Sequence, residues 1–224
     1  MKILSLIMAR AGSKRLKNKN LKKIKKYSLV ERSIKISNQL KKKKIICETL
    51  LSTDSKKILS IGKKNKIITP WLRPKSLSQS NSTSGDVALH AIKWFEKKYF
   101  KLDALLLLQP TSPFRQYKDL VKAINLFRKY RKKVVSVSPI KSHFQDMYAI
   151  ANNKLINKNK NRKKYNKKLY VCNGYLYIFP ISDLRIDKNF SANNAIPFII
   201  NSNIKSIDID DKYDFEMAVK LNEE

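Results

Sequence analysis

The chain has 224 residues, of which 42% are hydrophobic, and this length allows one domain with a sizeable core. Its 49 lysine and arginine residues against 17 acidic residues give a formal net charge of +32 at pH 7. No apolar run reaches the length of a transmembrane helix, and the two cysteines, Cys47 and Cys172, are too few for a disulfide framework or a metal cluster. Both lie in apolar, strand-like sequence, where we expect buried and unreactive thiols.

The positive charge is spread along the whole chain. Asparagine and isoleucine are frequent beside lysine, which indicates a general compositional bias. A nucleic-acid-binding domain would be expected to concentrate its cations on one face. Nucleic-acid binding is therefore kept as an alternative and not as the main reading, since small anionic substrates would also benefit from such a field.

The first predicted element is a buried strand, Ile3–Met8, after which the sequence changes abruptly to a small, flexible and basic loop at residues 9–20. Such a loop presents backbone N–H groups and cations to one point in space, which suits a polyanion such as a triphosphate. Neither the Walker A pattern nor GxGxxG is present, and a plain solvated loop is the alternative. The apolar run lacks the charged region and cleavage site of a signal peptide, so we expect a cytoplasmic protein.

Strands and helices alternate after this loop. Apolar runs predict strands at residues 45–51, 67–68, 103–108 and 133–137, a strand pair within 169–179 broken at Asn173-Gly174, and a last strand at 204–209. Amphipathic patterns predict helices at 29–40, 56–64, 119–130 and 213–221, and one that begins near Asp86. This rhythm favours an α/β fold in which a mostly parallel sheet lies between two layers of helices, in a single domain over residues 1–224.

Polar turns follow several of these strands. Gln109 ends the most apolar strand next to two prolines, so its amide should be held rigidly. The polar loop at residues 71–84 carries Arg73, Ser82 and Ser84, and long polar loops in compact domains are more often functional than idle. Ser82 and Ser84 are alternatively turn and cap residues. Because ligands bind beyond the carboxyl ends of the strands in open α/β sheets, these loops and the first basic loop should meet at one rim.

An acidic pair lies near the end of the chain. In the predicted strand at residues 204–209 and the residue after it, Asp208 and Asp210 project to the same side because they are two positions apart. Two adjacent carboxylates repel unless a cation lies between them, and hard oxygen ligands suit Mg²⁺. The alternative is that Asp210 and Asp211 only cap the last helix, and Asp211 is the better candidate for that cap.

The segment at residues 139–170 breaks the alternating pattern. Lysine and asparagine dominate it, as in NNKLINKNKNRKKYNKK. From its composition it is a flexible surface segment, a β-arm, or a basic contact for nucleic acid, and the sequence leaves these alternatives open.

Several motifs resemble those of the acylneuraminate cytidylyltransferases, the CMP-sialic acid synthetase family. In the first loop, ARAGSKRLKNKN is similar to ARGGSKxxxxKN, and LLLLQPTSPFR is similar to LLQPTSPLR nearly residue for residue. The stretch from Arg73 onward resembles RPxxL…DxxSSxDVxxHAL, VCNGYLYIF resembles NGAIYI, and SIDID matches SIDIDxxxD. The motifs occur in the same order and cover nearly the whole chain.

The resemblance implies a nucleotide-diphospho-sugar-transferase-like, Rossmann-like fold and a cytidylyltransferase that uses CTP and a nine-carbon acidic sugar. It further implies a homodimer, with residues 139–170 as a protruding segment for dimerisation and the sugar site. The residues it implies are catalytic Arg10, Lys19 and Arg162, nucleotide-binding Arg10, Ser13, Asn20, Arg73, Ser82, Ser84 and Gln109, and Mg²⁺ ligands Asp208 and Asp210.

Two positions differ from the family pattern. Ala11 replaces a glycine, and the family's RRQ-type triplet falls on Arg162-Lys163-Lys164. A non-catalytic homologue is therefore one alternative. A second is an enzyme like CMP-KDO synthetase, which acts on an eight-carbon acid, although the proline of that family's first loop is missing here. A third is a basic nucleic-acid-binding protein.

Overall fold

The structure is a computed structural model that describes residues 1–13, 15–79, 82–140, 148–151, 154–157 and 168–222. Its strands are β1 (Ile3–Met8), β2 (Lys23–Ile24), β3 (Tyr27–Ser28), β4 (Glu48–Ser52), β5 (Ala104–Leu107), β6 (Val134–Pro139), β7 (Tyr148–Ala151), β8 (Lys154–Asn157), β9 (Tyr170–Pro180) and β10 (Ile196–Ile199). Its α-helices are α1 (Leu29–Lys42), α2 (Lys56–Lys64), α3 (Ser84–Lys98), α4 (Tyr117–Tyr130), α5 (Ile181–Asp187) and α6 (Lys212–Lys220), and short 3-10 helices lie at Lys19–Leu21 and Lys75–Leu77.

The central sheet of the described chain has the strand order β10-β6-β9-β5-β1-β4. β1 pairs in parallel with both β4 and β5, and β10 pairs in parallel with β6. β9 is antiparallel to both of its neighbours, β5 and β6. The mostly parallel sheet predicted from the alternating pattern is confirmed, and β9 is its antiparallel member.

Helices cover both faces of this sheet, which confirms the predicted three layers. On β1, Ile3 and Ile7 face a core shared with α1, α2 and α4, whereas Leu4 and Leu6 face a core shared with α3 and α5. Successive residues of a strand point to opposite faces, so a strand buried on both faces is apolar throughout. This is why the run from Ile3 is apolar except for Ser5, which is also fully buried.

Helix caps account for two polar clusters. Ser55 Oγ accepts a hydrogen bond from Ile58 N at 3.3 Å and caps α2, so the Ser/Thr/Asp cluster after β4 supplies a helix start. Asp211 caps α6, and its carboxylate and that of Asp214 form a capping box. The prediction that Asp211 is the cap is confirmed.

Three local predictions were wrong. Residues 67–68 form one isolated bridge, Leu50 to Ile68, and no named strand. The last strand is β10, not residues 204–209, because the backbone there turns, with Ser206 N bonded to Ser202 O at 3.1 Å. Cys172 is exposed while Cys47 is half-buried, since β9 pairs with β5 only from Tyr177 onward and Cys172 has a strand neighbour only in β6.

The segment at residues 139–170 is described only in part. β7 and β8 pair with each other as an antiparallel ribbon, which matches the β-arm alternative for these eight residues. Arg162 and its two lysine neighbours lie outside the described residues.

Within the described residues, no helix has both the length and the apolar character needed to cross a membrane.

Candidate active site

One cavity of about 420 Å³ opens beyond the carboxyl ends of β1 and β5. The first basic loop forms one wall, the turn after β5 a second, and the acidic segment before α6 a third. Its lining residues are Met8, Arg10, Ser13, Arg15, Lys19, Asn20, Gln109, Pro110, Thr111, Asp208 and Asp210. Seven of the sequence-predicted site residues therefore meet here: Arg10, Ser13, Lys19, Asn20, Gln109, Asp208 and Asp210.

Two cations contact the carboxylate of Asp210. Lys19 Nζ lies 3.1 Å from Asp210 Oδ1 and donates to the carbonyl of Ile209 at 2.8 Å. Arg15 Nη2 lies 2.9 Å from Asp210 Oδ2. The basic loop and the acidic segment, about 190 residues apart in the chain, are thus joined by direct ion pairs.

The two carboxyls have opposite pKa shifts. Desolvation, with the added charge of Asp210, raises the pKa of Asp208 above its ordinary value, although a hydrogen bond from the Thr111 side chain and the charges of Lys19 and Arg115 oppose the rise. Partial burial alone would raise the pKa of Asp210, but the hydrogen bond and charge of Lys19, together with Arg15, outweigh it and lower the pKa. Among the described residues Asp208 forms no ion pair, so a bound cation would relieve an unfavourable charge there.

The direction in which the side chains of the acidic pair point is fixed by the burial of the neighbouring isoleucines. Ile209 is fully buried in a small core with Leu16, Ile24 and Leu29, and Ile207 packs against the same core. Ile209 N also donates to Thr111 O at 2.8 Å, which joins this segment to the turn after β5. The alternation expected for a strand is therefore kept in an extended segment that is not a strand.

A β-bulge brings Gly174 against two residues that line the cavity. The register between β6 and β9 shifts between Val135 and Val137, and Gly174 has a φ of 71°. An added Cβ on Gly174 would lie 3.2 Å from Asp208 Oδ2 and 3.2 Å from Gln109 Oε1. The predicted break at Asn173-Gly174 is thus a bulge inside one strand, and glycine allows the backbone to approach both side chains.

Arg115 clamps the turn after β5 to this bulge. Its guanidinium donates to Ser112 O at 2.9 Å, to Gly174 O at 3.0 Å and to the carbonyl of Tyr175. Burial lowers the pKa of Arg115 to about 10. Its partners are these carbonyls and the Ser33 hydroxyl, at 3.3 Å, and not a carboxylate, which indicates a structural role.

Hydrogen bonds between two side chains and its backbone hold the basic loop in place. Asn20 Nδ2 donates to Arg10 O at 2.9 Å, and Ala11 N donates to Asp54 Oδ1 at 2.7 Å. The backbone φ of Ala11 is not positive. Alanine therefore fits here without backbone strain.

Three predicted residues do not line the cavity in the structure. Arg73 is buried and donates to Ser52 Oγ at 3.0 Å and to Ser52 O at 2.6 Å. Ser82 Oγ donates to Ser76 O at 2.8 Å, and Ser84 is the exposed first residue of α3, which Thr83 caps.

Sequence reasoning missed Arg15 and Thr111 as cavity residues. Arg15 belongs to the basic loop and Thr111 to the turn after β5, and both segments were predicted to lie at the rim of the site. The basic loop contains several cations, however, and no pattern in it indicates which one reaches an acidic group that lies 195 residues further along the chain.

Known proteins similar to this chain match it over nearly its whole length, and they are cytidylyltransferases and related CMP-sugar synthases. Residues 4–177 match the family model described as "Cytidylyltransferase". A CMP-N,N'-diacetyllegionaminic acid synthase from Legionella pneumophila is 32% identical over 242 aligned positions, which cover 100% of this chain and 97% of the relative. An N-acylneuraminate cytidylyltransferase from Escherichia coli is 28% identical over 99% of this chain, which spans 52% of that protein.

Solved structures show the same fold. A CMP-2-keto-3-deoxy-manno-octonic acid synthetase complexed with CTP superimposes with a TM-score of 0.72 over 99% of this chain and 98% of its own. The two sequences are only 14% identical, so this likeness concerns the fold alone.

Proposed function

Because this chain belongs to the cytidylyltransferase family, we propose that it transfers a cytidylyl group from CTP to a nine-carbon acidic 2-keto sugar. Family membership confirms the resemblance seen in the motifs and makes the chain a nucleotidyltransferase. The observation that carries the proposal is that Arg10, Lys19 and Asn20 line the same cavity as Asp208 and Asp210. The names of the relatives, a legionaminic acid synthase and an acylneuraminate transferase, favour an acidic sugar of this class.

In the proposed reaction the anomeric hydroxyl oxygen of the sugar attacks the α-phosphorus of CTP. A new P–O bond forms, the bond to the β-phosphate oxygen breaks, pyrophosphate leaves and the hydroxyl proton is released. Little covalent chemistry falls to the protein, whose task is in-line positioning and neutralisation of phosphate charge. Arg10, Ser13, Lys19 and Asn20 line the cavity where the triphosphate would lie.

Base and sugar recognition is assigned to the remaining predicted residues. Gln109 lies in the cavity wall beside Gly174 and can both donate and accept. Arg73, Ser82 and Ser84 are proposed as base contacts. Arg73 and Ser82 already bond to Ser52 and Ser76, so contact with a base would require their hydrogen bonds to be exchanged or shared.

Asp208 and Asp210 fit a magnesium ion. The raised pKa of Asp208, which follows from desolvation, indicates a carboxylate that gains from a cation. No group of three or more His, Cys, Asp or Glu residues suited to a metal occurs in the described residues. Two protein carboxylates, with the other ligands from phosphate and water, are the usual arrangement for Mg²⁺. When bound, the ion would neutralise charge on phosphate oxygens.

A homodimer is proposed from exposed apolar side chains near the places where residues 139–170 leave and rejoin the sheet. Tyr170 is 41% exposed, Val171 51% and Ile199 46%. In β6, Pro139 pairs with Tyr170 and Val137 pairs with Ile199, so Tyr170 of β9 and Ile199 of β10 point to the same face of the sheet, whereas Val171, which pairs with Ser138, points to the opposite face. The role of Arg162 at the sugar site and a cytoplasmic location are proposals from the sequence.

The function is tested by measuring pyrophosphate release from CTP and Mg²⁺ with a panel of sialic, legionaminic and pseudaminic acids and KDO. Turnover with a nine-carbon acid is expected. Turnover with KDO alone would favour the eight-carbon alternative. CTP binding without turnover on any acid would favour a non-catalytic homologue. Thermal shift with CTP and Mg²⁺ compared with an oligonucleotide separates both from the nucleic-acid alternative.

A further inference from the structure

Both oxygens of Asp210 are already bound to cations of the chain itself. Lys19 takes Oδ1 at 3.1 Å and Arg15 takes Oδ2 at 2.9 Å. The two partners differ in how firmly they are held. The Lys19 side chain is 13% exposed and has the Ile209 carbonyl as a second acceptor, whereas the Arg15 side chain is 67% exposed. Arg15 is therefore the cation that can leave.

We propose that Arg15 occupies the place of a divalent cation on Asp210 and passes from this carboxylate to the triphosphate when the metal nucleotide binds. This inference rests on the proposed function, because it assumes that Asp208 and Asp210 hold the metal. A metal ion binds a carboxylate oxygen at about 2.1 Å. A guanidinium held 2.9 Å from the same oxygen would repel that ion, so one cation has to give way to the other.

The exposed position of Arg15 makes the exchange inexpensive. Ion pairs between exposed side chains are weak, because water screens them and ordering long side chains opposes them. Once released, the guanidinium is still in the wall of the cavity that holds Arg10 and Ser13. Its planar fork of N–H donors suits phosphate oxygens better than a lysine would.

Two opposite effects of Arg15 follow. It competes with a bare metal ion for Asp210, and it assists binding of the metal nucleotide. Removing it should therefore tighten binding of the metal alone and weaken binding of CTP in the presence of metal. Lys17 offers a matched control, since it lies in the same loop, is exposed, and does not line the cavity.

The test titrates Mn²⁺ into the wild type, R15Q and K17Q, with free Mn²⁺ measured by electron paramagnetic resonance, and then titrates CTP at saturating Mn²⁺. R15Q is expected to bind Mn²⁺ about two- to fivefold more tightly without nucleotide. The same variant is expected to bind CTP about tenfold or more weakly, because a charge-assisted hydrogen bond to phosphate is lost. K17Q should stay within about twofold of the wild type in both, as expected for screened long-range charge.

Equal Mn²⁺ affinity of R15Q and wild type would overturn the inference. Equal effects of R15Q and K17Q would also overturn it, because both variants lose one charge and a general field would explain them. Absence of Mn²⁺ binding to every variant would remove both the exchange and the metal role of the acidic pair. The proposed function is tested by a separate measurement, because its failure would appear as the absence of CMP-sugar formation by the wild type.

Discussion

Gly174 lies directly against Asp208: an added Cβ on the glycine would be 3.2 Å from Asp208 Oδ2. The two residues come from the bulge in β9 and from the segment before α6. Asp208 lines the cavity, and so does Gln109, whose Oε1 is also 3.2 Å from that Cβ position. The geometry of the acidic pair therefore depends on a backbone conformation in a different part of the sheet.

Replacing Gly174 by alanine should destabilise the protein and reduce activity. The residue has a φ of 71°, and its new Cβ would push on Asp208 and Gln109. We expect a loss of about 1–2 kcal/mol in the free energy of unfolding, measured by urea denaturation. Gly12→Ala is the control for stability, since nothing lies within 4 Å of its Cβ position and its φ is not positive. Equal stability of the two variants would contradict the strain argument.

Asp208→Ala and Asp211→Ala should separate catalysis from stability. Asp208 lines the cavity, so its loss should lower turnover with CTP by about 100-fold or more, as for removal of a group that stabilises transition-state charge. Asp211 is the N-cap of α6, so its loss should cost about 1 kcal/mol of stability and leave turnover largely intact. Steady-state kinetics beside urea melts distinguish the two, and full turnover by Asp208→Ala would remove its proposed role.

Arg115→Met should destabilise the protein strongly. The guanidinium donates to the carbonyls of Ser112, Gly174 and Tyr175, and methionine would leave these partly buried acceptors without donors. We expect a loss of about 2–4 kcal/mol in the free energy of unfolding. Arg128→Met is the control, because its guanidinium donates to the single carbonyl of Ile45 and should cost less. The outcome that would contradict a clamp is an equal loss in both variants.

The stability difference between Asp208→Asn and wild type should depend on pH. The folded pKa of Asp208 is raised by desolvation, so folding favours the protonated carboxyl. That stabilisation is present below the unfolded pKa of about 3.9 and is lost as the pH rises through the folded value. Asparagine does not titrate, so the variant should gain stability relative to wild type between about pH 4 and neutrality.

Urea denaturation of both proteins across this pH range measures that gain. Asp210→Asn should show the opposite trend at lower pH, below the unfolded pKa of about 3.9, since Lys19 and Arg15 lower the pKa of Asp210 and its contribution is lost as the pH falls through the folded value. A pH-independent difference for Asp208→Asn would show that this carboxyl is not desolvated.

Some of the site could be predicted because it depends on local order along the chain. The basic loop comes directly after β1, and Gln109 follows the last apolar residues of β5, so both reach the carboxyl edge of a parallel sheet. Arg73 shows the limit of this reasoning. Its position in the loop was compatible with a ligand contact, yet its guanidinium is buried against Ser52.

The sequence by itself determined what the backbone period and helix caps control. These are the two-faced burial of β1, the Asp211 cap of α6, and the shared direction of Asp208 and Asp210 opposite buried Ile209. Only the tertiary structure decided that β9 runs antiparallel between β5 and β6, and that Arg15 reaches Asp210. The physical reason is that local patterns constrain only neighbours within a few residues. Pairings between distant residues depend on tertiary packing, and the sequence does not distinguish among the several cations of one loop that could make such a pairing.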